Sequence, residues 1–364
     1  MKRMKKSTII IAFILAMVML VACGNSGKKD SDAKGKDADI VEEKTDTEKV
    51  SADEKAVDEK DTETKKDVSI GIIQLAPHEA LDKGYEGFID GLAECGYVEG
   101  ENLSLDYNNA QGDPSNATTI AQKLVNASPD LIFAVATQAA QAAANQTSDI
   151  PIVITAVTDP AQSGLVKSND MPETNVTGTS DLTPVKEQME LIKELMPEAT
   201  RVGVIFNSSE DNSLIQAKMA EDALNDLGLE YVELTVSKTD EISPVTQSAV
   251  GKIDVMYTPT DNLISNNMTA VTNITNPAGI PVVCGEVAML EGGGLLTLGV
   301  DYYELGRQAG EMAADILDGK SVPSEMAVQY QKEYSFAVNP ELAEELGVTI
   351  PADMLEKNSW KQAE

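Results

Sequence analysis

The chain has 364 residues, is 42% hydrophobic but only 4% aromatic, and carries a formal net charge of −32. That charge repels phosphate backbones and anionic headgroups, which argues against nucleic acid or an anionic lipid surface as a partner. A single histidine excludes the multi-histidine clusters of zinc receptors, and three cysteines are too few for a disulfide framework.

Taken in chain order, Lys2, Arg3, Lys5 and Lys6 precede an apolar run from Ile9 to Leu20, which closes in Leu20-Val21-Ala22-Cys23. The run has the length of a signal-peptide core, is short for a membrane span, and places small residues ahead of Cys23, as in a bacterial lipoprotein signal. Residues 1–22 are expected to be removed, leaving Cys23 as the lipid anchor on the extracytoplasmic face of the cell membrane. The alternative is an uncleaved anchor helix. Residues 23–67 alternate Lys, Asp, Glu, Ser, Thr and Ala with almost no large apolar side chain, which predicts a disordered charged tether.

From Val68 onward short apolar strands alternate with amphipathic helices. Val68 to Leu75 reads as a strand, and Leu81, Tyr85, Phe88, Leu92 and Cys95 then mark one buried helical face that Gly96 ends. Leu103 to Tyr107 is a strand, Ala117 to Val125 a helix, and Asp130 to Ala136 a nearly continuous apolar strand of the kind covered on both faces. The pattern continues through strand Ile152 to Val157, a helix near Val185 to Met196, strand Val202 to Phe206 and helix Asn212 to Leu227. Strands Tyr231 to Val236 and Ile253 to Tyr257, helix Leu263 to Thr275 and strand Ile280 to Cys284 follow.

Repeated strand–helix units imply an α/β fold with parallel sheets. There are too many strands for one sheet, so two doubly wound lobes joined by three hinge strands are expected. The assignment is 68–181 plus 297–322 for lobe 1 and 182–296 plus 323–364 for lobe 2, with the final residues loosely attached. Cys95 and Cys284 fall in different lobes, so no structural disulfide is expected.

Several segments carry a resemblance. They are Ile72-Ile73-Gln74 with His78, Asp90-Gly91-Leu92, Ala134 to Gln141, Ile154 to Pro160, Thr177-Gly178-Thr179-Ser180-Asp181, Phe206 to Ser213, and Tyr257-Thr258-Pro259-Thr260-Asp261-Asn262. From about Val68 to Pro351 the chain resembles the solute-binding lipoproteins of ABC importers, in the group for tryptophan, tyrosine and related aromatic amino acids. The resemblance implies a type I periplasmic-binding-protein fold, a monomer with an L-aromatic amino acid as ligand and an ABC permease as partner, no cofactor and no catalysis.

In open α/β sheets ligands meet the residues just after the strands. Thr137, Gln138 and Ala139 open an Ala-rich helix whose free N–H groups suit a carboxylate; an ordinary helix start is the plainer reading. Asp159, Asp181, Asp261, Glu286 and Asp301 lie at strand ends, where Asp261 is the first choice and Asp181 the second to receive an ammonium, against the commoner role of helix cap. Asn207, Ser208, Asn212 and Ser213 are expected to supply neutral hydrogen bonds, with capping of the following helix as the alternative for Asn212 or Ser213, and Gln74, Thr158 and Asn262 complete the candidate set. His78 is expected to stack on a ring or bond a hydroxyl, with a plain turn residue as the alternative, and Phe206, Tyr257 and Tyr302 to flank a flat side chain, each with a core role as the alternative. Arginine occurs only at Arg3, Arg201 and Arg307, none placed as a bidentate anion clamp, so a zwitterion or neutral solute is expected. A sugar or nucleoside receptor and a surface adhesion or sensory lipoprotein are the competing readings.

Overall fold

In the computed structural model, residues 65–361 are described, so the signal segment, Cys23 and nearly all of the expected tether lie outside them. Twelve strands form among these residues. They are β1 (Val68–Gln74), β2 (Leu103–Asn109), β3 (Leu131–Val135), β4 (Ile152–Thr155), β5 (Val176–Ser180), β6 (Arg201–Asn207), β7 (Glu230–Val236), β8 (Val255–Thr258), β9 (Val282–Cys284), β10 (Leu296–Gly299), β11 (Gln329–Tyr330) and β12 (Ser335–Val338). Two six-stranded sheets result, in the orders β11-β5-β4-β3-β1-β2 and β12-β10-β9-β8-β6-β7. Only the β10–β12 pairing is antiparallel. These are the two doubly wound lobes of the type I periplasmic-binding fold.

Helices α1 (Glu79–Glu94), α2 (Pro114–Ala127), α3 (Thr137–Ala144), α4 (Val185–Leu195), α5 (Asp211–Leu227), α6 (Thr239–Ala249), α7 (Asn262–Ser265), α8 (Met268–Thr275) and α9 (Tyr302–Leu317) cover the sheets. Every residue of β3 is buried, as a strand covered on both faces requires. In lobe 1, Phe88 of α1 stacks on Phe133 of β3 with ring centroids 3.6 Å apart. Helices α1 and α9 approach so closely that a Cβ at Gly87 would run into the Tyr303 backbone, and one at Gly306 into that of Gly84. At the far end of α9 the Lys65 ammonium pairs with Asp318 at 2.6 Å and lies 4.6 Å from the Tyr97 ring centroid.

Two lobe boundaries differ from expectation. Because β10 is hydrogen-bonded to β9 and β12, the chain recrosses to lobe 1 after Gly299 rather than at 297. It returns after Tyr330 rather than at Pro323, because Gln329 and Tyr330 pair with Thr179 and Ser180 of β5. The helix expected over 263–275 is broken into α7 and α8 at Asn266-Asn267. The C-terminal residues are tied down, against the expectation of loose attachment. Asn358 brackets Val338 with two 2.9 Å hydrogen bonds, and the Trp360 indole donates to Glu291 at 3.1 Å.

Candidate functional site

The carboxyl ends of both sheets meet across a narrow chamber lined by His78, Leu81, Ala156, Asp181 and Tyr302 from lobe 1 and by Asn212, Thr260, Asp261, Asn262 and Glu286 from lobe 2. Each wall residue stands where a strand gives way to the next element, the position at which parallel sheets expose side chains to a ligand. A wider space of about 1100 Å³ includes Gln138, Asn207, Glu210 and Asn262 in its walls. Asn262 is common to both.

The chamber is acidic, and no Lys or Arg lines it. Asp181 accepts from Thr158 Oγ1 at 3.2 Å and from the Tyr302 hydroxyl at 2.8 Å. Burial pushes its carboxyl up to about 6, with Glu286 adding to the rise and the two hydroxyls opposing it. The Glu286 carboxylate accepts from Ser265 through Oε1, while its buried Oε2 has no partner. Asn212 Oδ1 and His78 Nδ1 are likewise buried and unpartnered. Buried polar atoms are nearly always satisfied in native proteins, so three such atoms on residues lining one chamber mark places a ligand would occupy.

Asp261, the sequence's first choice for an ammonium, lines the chamber but is engaged by the backbone. Its Oδ2 accepts from Asn207 N at 2.6 Å and its Oδ1 caps α7 through Ile264 N at 2.8 Å. Burial, with the neighbouring Glu210 charge, raises its pKa. Ser213 supports this carboxylate with a hydrogen bond from α5. Glu210, absent from the sequence candidates, is buried and holds the same corner together, accepting from Asn207 Nδ2 at 2.9 Å and Asn262 Nδ2 at 2.6 Å. An acid among Asn and Ser after a strand reads as a turn; its only signal was its place after β6.

Other candidates fall elsewhere. Thr158 and Gln138 bridge the lobes, the latter through Nε2 to Ser209 O at 3.0 Å. Thr137 and Ala139 are buried at the start of α3, which no side chain caps, but they do not line the chamber. Gln74 is buried beneath the α1 loop, donating to Ala76 O and Asp82. Asp159 organises its own loop through Ala161 N, Gln162 and Asn169. The Ser208 hydroxyl donates back to Val236 O. Asp301 caps α9 through Tyr303 N and Glu304 N. Of the three rings expected to flank a ligand, only Tyr302 lines the chamber. Phe206 and Tyr257 are packed in the lobe 2 core, with the Tyr257 hydroxyl donating to Gln188 at 2.7 Å. Arg201 pairs with Asp254, and Arg307 with Glu94, Glu304 and Glu311.

Comparison with known proteins gives a consistent picture. A family model described as ABC transporter substrate binding protein matches residues 69–360. A tyrosine-binding protein of Clostridioides difficile is 41% identical over 322 residues, which is 88% of this chain and 86% of that protein. The structure of an ABC domain in complex with L-Trp from Streptococcus pneumonia is 35% identical and superposes with a TM-score of 0.78, covering 80% of this chain and 99% of its own. The ligand-free, open structure of a substrate binding protein with adhesive properties from Clostridium difficile is 41% identical, with a TM-score of only 0.65 over 82% and 100% of the two chains. The more identical protein is the less similar in shape.

Proposed function

The chain belongs to the family of ABC transporter substrate-binding proteins, which bind and do not catalyse, and from that premise we propose that it captures an aromatic amino acid, tyrosine, tryptophan or phenylalanine, between its lobes. The observation that carries the proposal is the acidic chamber with an unpartnered Glu286 oxygen and no Lys or Arg in its wall, which suits a ligand that brings its own cation. Glu286, Asp181 and Asn212 receive the ammonium. The uncapped start of α1 on lobe 1, beside His78 and Leu81 of the chamber wall, offers backbone N–H groups to the carboxylate.

A solute touching both walls binds the closed form better than the open one and so shifts the population to closure. The closed receptor then presents its cargo to a membrane permease, acting as a monomer held at the extracytoplasmic face by lipidated Cys23. The C. difficile tyrosine-binding protein and the L-Trp complex support the choice of ligand class. The adhesive properties stated for the protein of the open C. difficile structure make surface adhesion the second reading.

Melting the soluble form from residue 65 against the twenty L-amino acids, selected sugars and nucleosides tests the ligand. A solute at a hundred times its dissociation constant raises stability by about 2.7 kcal/mol. A shift confined to the aromatic amino acids is expected; no shift with any of them, from protein verified as ligand-free, overturns the reading. Cys23→Ser is expected to release the chain from the membrane fraction.

A further inference from the structure

Gln216 is a fully buried amide on α5 of lobe 2, and both its polar atoms are in use. Its Oε1 accepts from Thr183 Oγ1 at 3.3 Å and from Thr260 N at 3.4 Å. Its Nε2 donates to Thr260 Oγ1 within its own lobe and, at 3.1 Å, to Thr158 Oγ1 of lobe 1. Thr158, itself buried, passes its own hydroxyl proton to Asp181 Oδ1 at 3.2 Å. The donor direction therefore runs one way, from an amide on one lobe through a hydroxyl on the other to a carboxylate facing the solute.

We infer that Gln216 is a positioning residue that couples lobe closure to the solute-binding carboxylate Asp181. Its contact with Thr158 exists only when the lobes are together, because Thr158 follows β4 of lobe 1 and Gln216 is on α5 of lobe 2. Parting the lobes removes one donor from Thr158 and frees the hydroxyl to turn away from Asp181. Closure thus tightens the wall that receives the ammonium, although Gln216 does not line the chamber. Hydrogen-bonded chains in a dry interior strengthen one another, so a partner two steps from the solute still bears on how it is held. The inference rests on the proposed role of Asp181 as an ammonium acceptor.

The test compares wild type, Gln216→Leu, Thr158→Val and the double variant by stopped-flow binding of L-tyrosine, with ligand-free melts alongside. Each single variant is expected to raise the dissociation rate about tenfold or more while the association rate stays within about twofold, since changes at a formed interface act mainly on departure. The double variant is expected to be no worse than the worse single one, because both break the same relay. Unchanged dissociation in Thr158→Val, or fully additive effects, overturns the inference. Should Gln216→Leu fail to fold, Thr158→Val decides alone. A wild type that binds no aromatic amino acid overturns the ligand assignment and this inference together, whereas binding by wild type with indifferent variants overturns only this one.

Discussion

The Tyr302 hydroxyl donates to Asp181 Oδ2 at 2.8 Å in the chamber wall, a neutral partner for a buried carboxylate. Burial and the Asp181 charge hold the phenol well above its usual range, so it steadies the carboxylate without neutralising it. The charge is left for the solute.

Stability should record that arrangement. The folded pKa of Asp181, about 6, lies above the ordinary carboxylate value, so the folded state binds the extra proton and stability falls as pH rises from about 4 through 6. At about 1.4 kcal/mol per unit the cost above that window is on the order of 3 kcal/mol. Asp181→Asn is therefore expected to melt higher than wild type at pH 7.5 when ligand-free, with the advantage gone at pH 4, and to bind the solute poorly.

Binding should move the opposite way with pH. On the proposed assignment the ionised form of Asp181 is the one that accepts an ammonium, so affinity for an aromatic amino acid is expected to rise as pH increases from 5 to 7.5. Calorimetric titrations at the two pH values check this, and the Asp181→Asn variant should show a flatter profile. Tighter binding at pH 5 would contradict the assignment.

Glu286→Gln keeps the shape of the chamber and removes the charge beside the unpartnered oxygen. A hydrogen bond to a charged group contributes about 1.5–3 kcal/mol, so affinity should drop roughly 10- to 150-fold with little change in the ligand-free melt. Calorimetry measures it directly.

Gly87→Ala tests the α1–α9 seam. The added methyl meets the Tyr303 backbone, which cannot rotate aside as a side chain could. Overpacking of this kind should cost about 3 kcal/mol, read as a lower urea midpoint at unchanged slope.

Asn358→Ala should show that the C-terminal residues belong to lobe 2. Two part-buried backbone hydrogen bonds are lost, for a destabilisation of about 1–3 kcal/mol in the same urea assay.

The fold was legible because a doubly covered parallel sheet leaves its mark on composition: β3 is an unbroken apolar run, β4 is apolar up to Thr155, and turn residues separate them from helices with a clear buried face. Helix α6 was not foreseen, since Pro244 interrupts a polar segment that reads as loop. The break at Asn266-Asn267 was hidden by apolar residues on either side in helical register. At the site, position after a strand found Asp181, Asn212, Asp261 and Glu286, but the sequence could not say which oxygens the backbone had already claimed. Asp261 and Glu286 look alike on paper, and only the fold shows that Asn207 N and Ile264 N engage the first and leave the second with a free oxygen. Ring placement was equally hidden: Tyr257 and Tyr302 both flank strand ends, yet one is sealed in a core and one faces the chamber.

The Lys65–Asp318 pair fixes where the chain enters lobe 1. Asp318 follows the last turn of α9, whose first residue, Tyr302, is at the chamber, and a 16-residue helix is about 24 Å long. Whatever precedes Lys65 therefore joins the domain at the pole opposite the solute. A pull applied at Lys65 would load α9 and β1 of lobe 1 ahead of the segments that cross between the lobes.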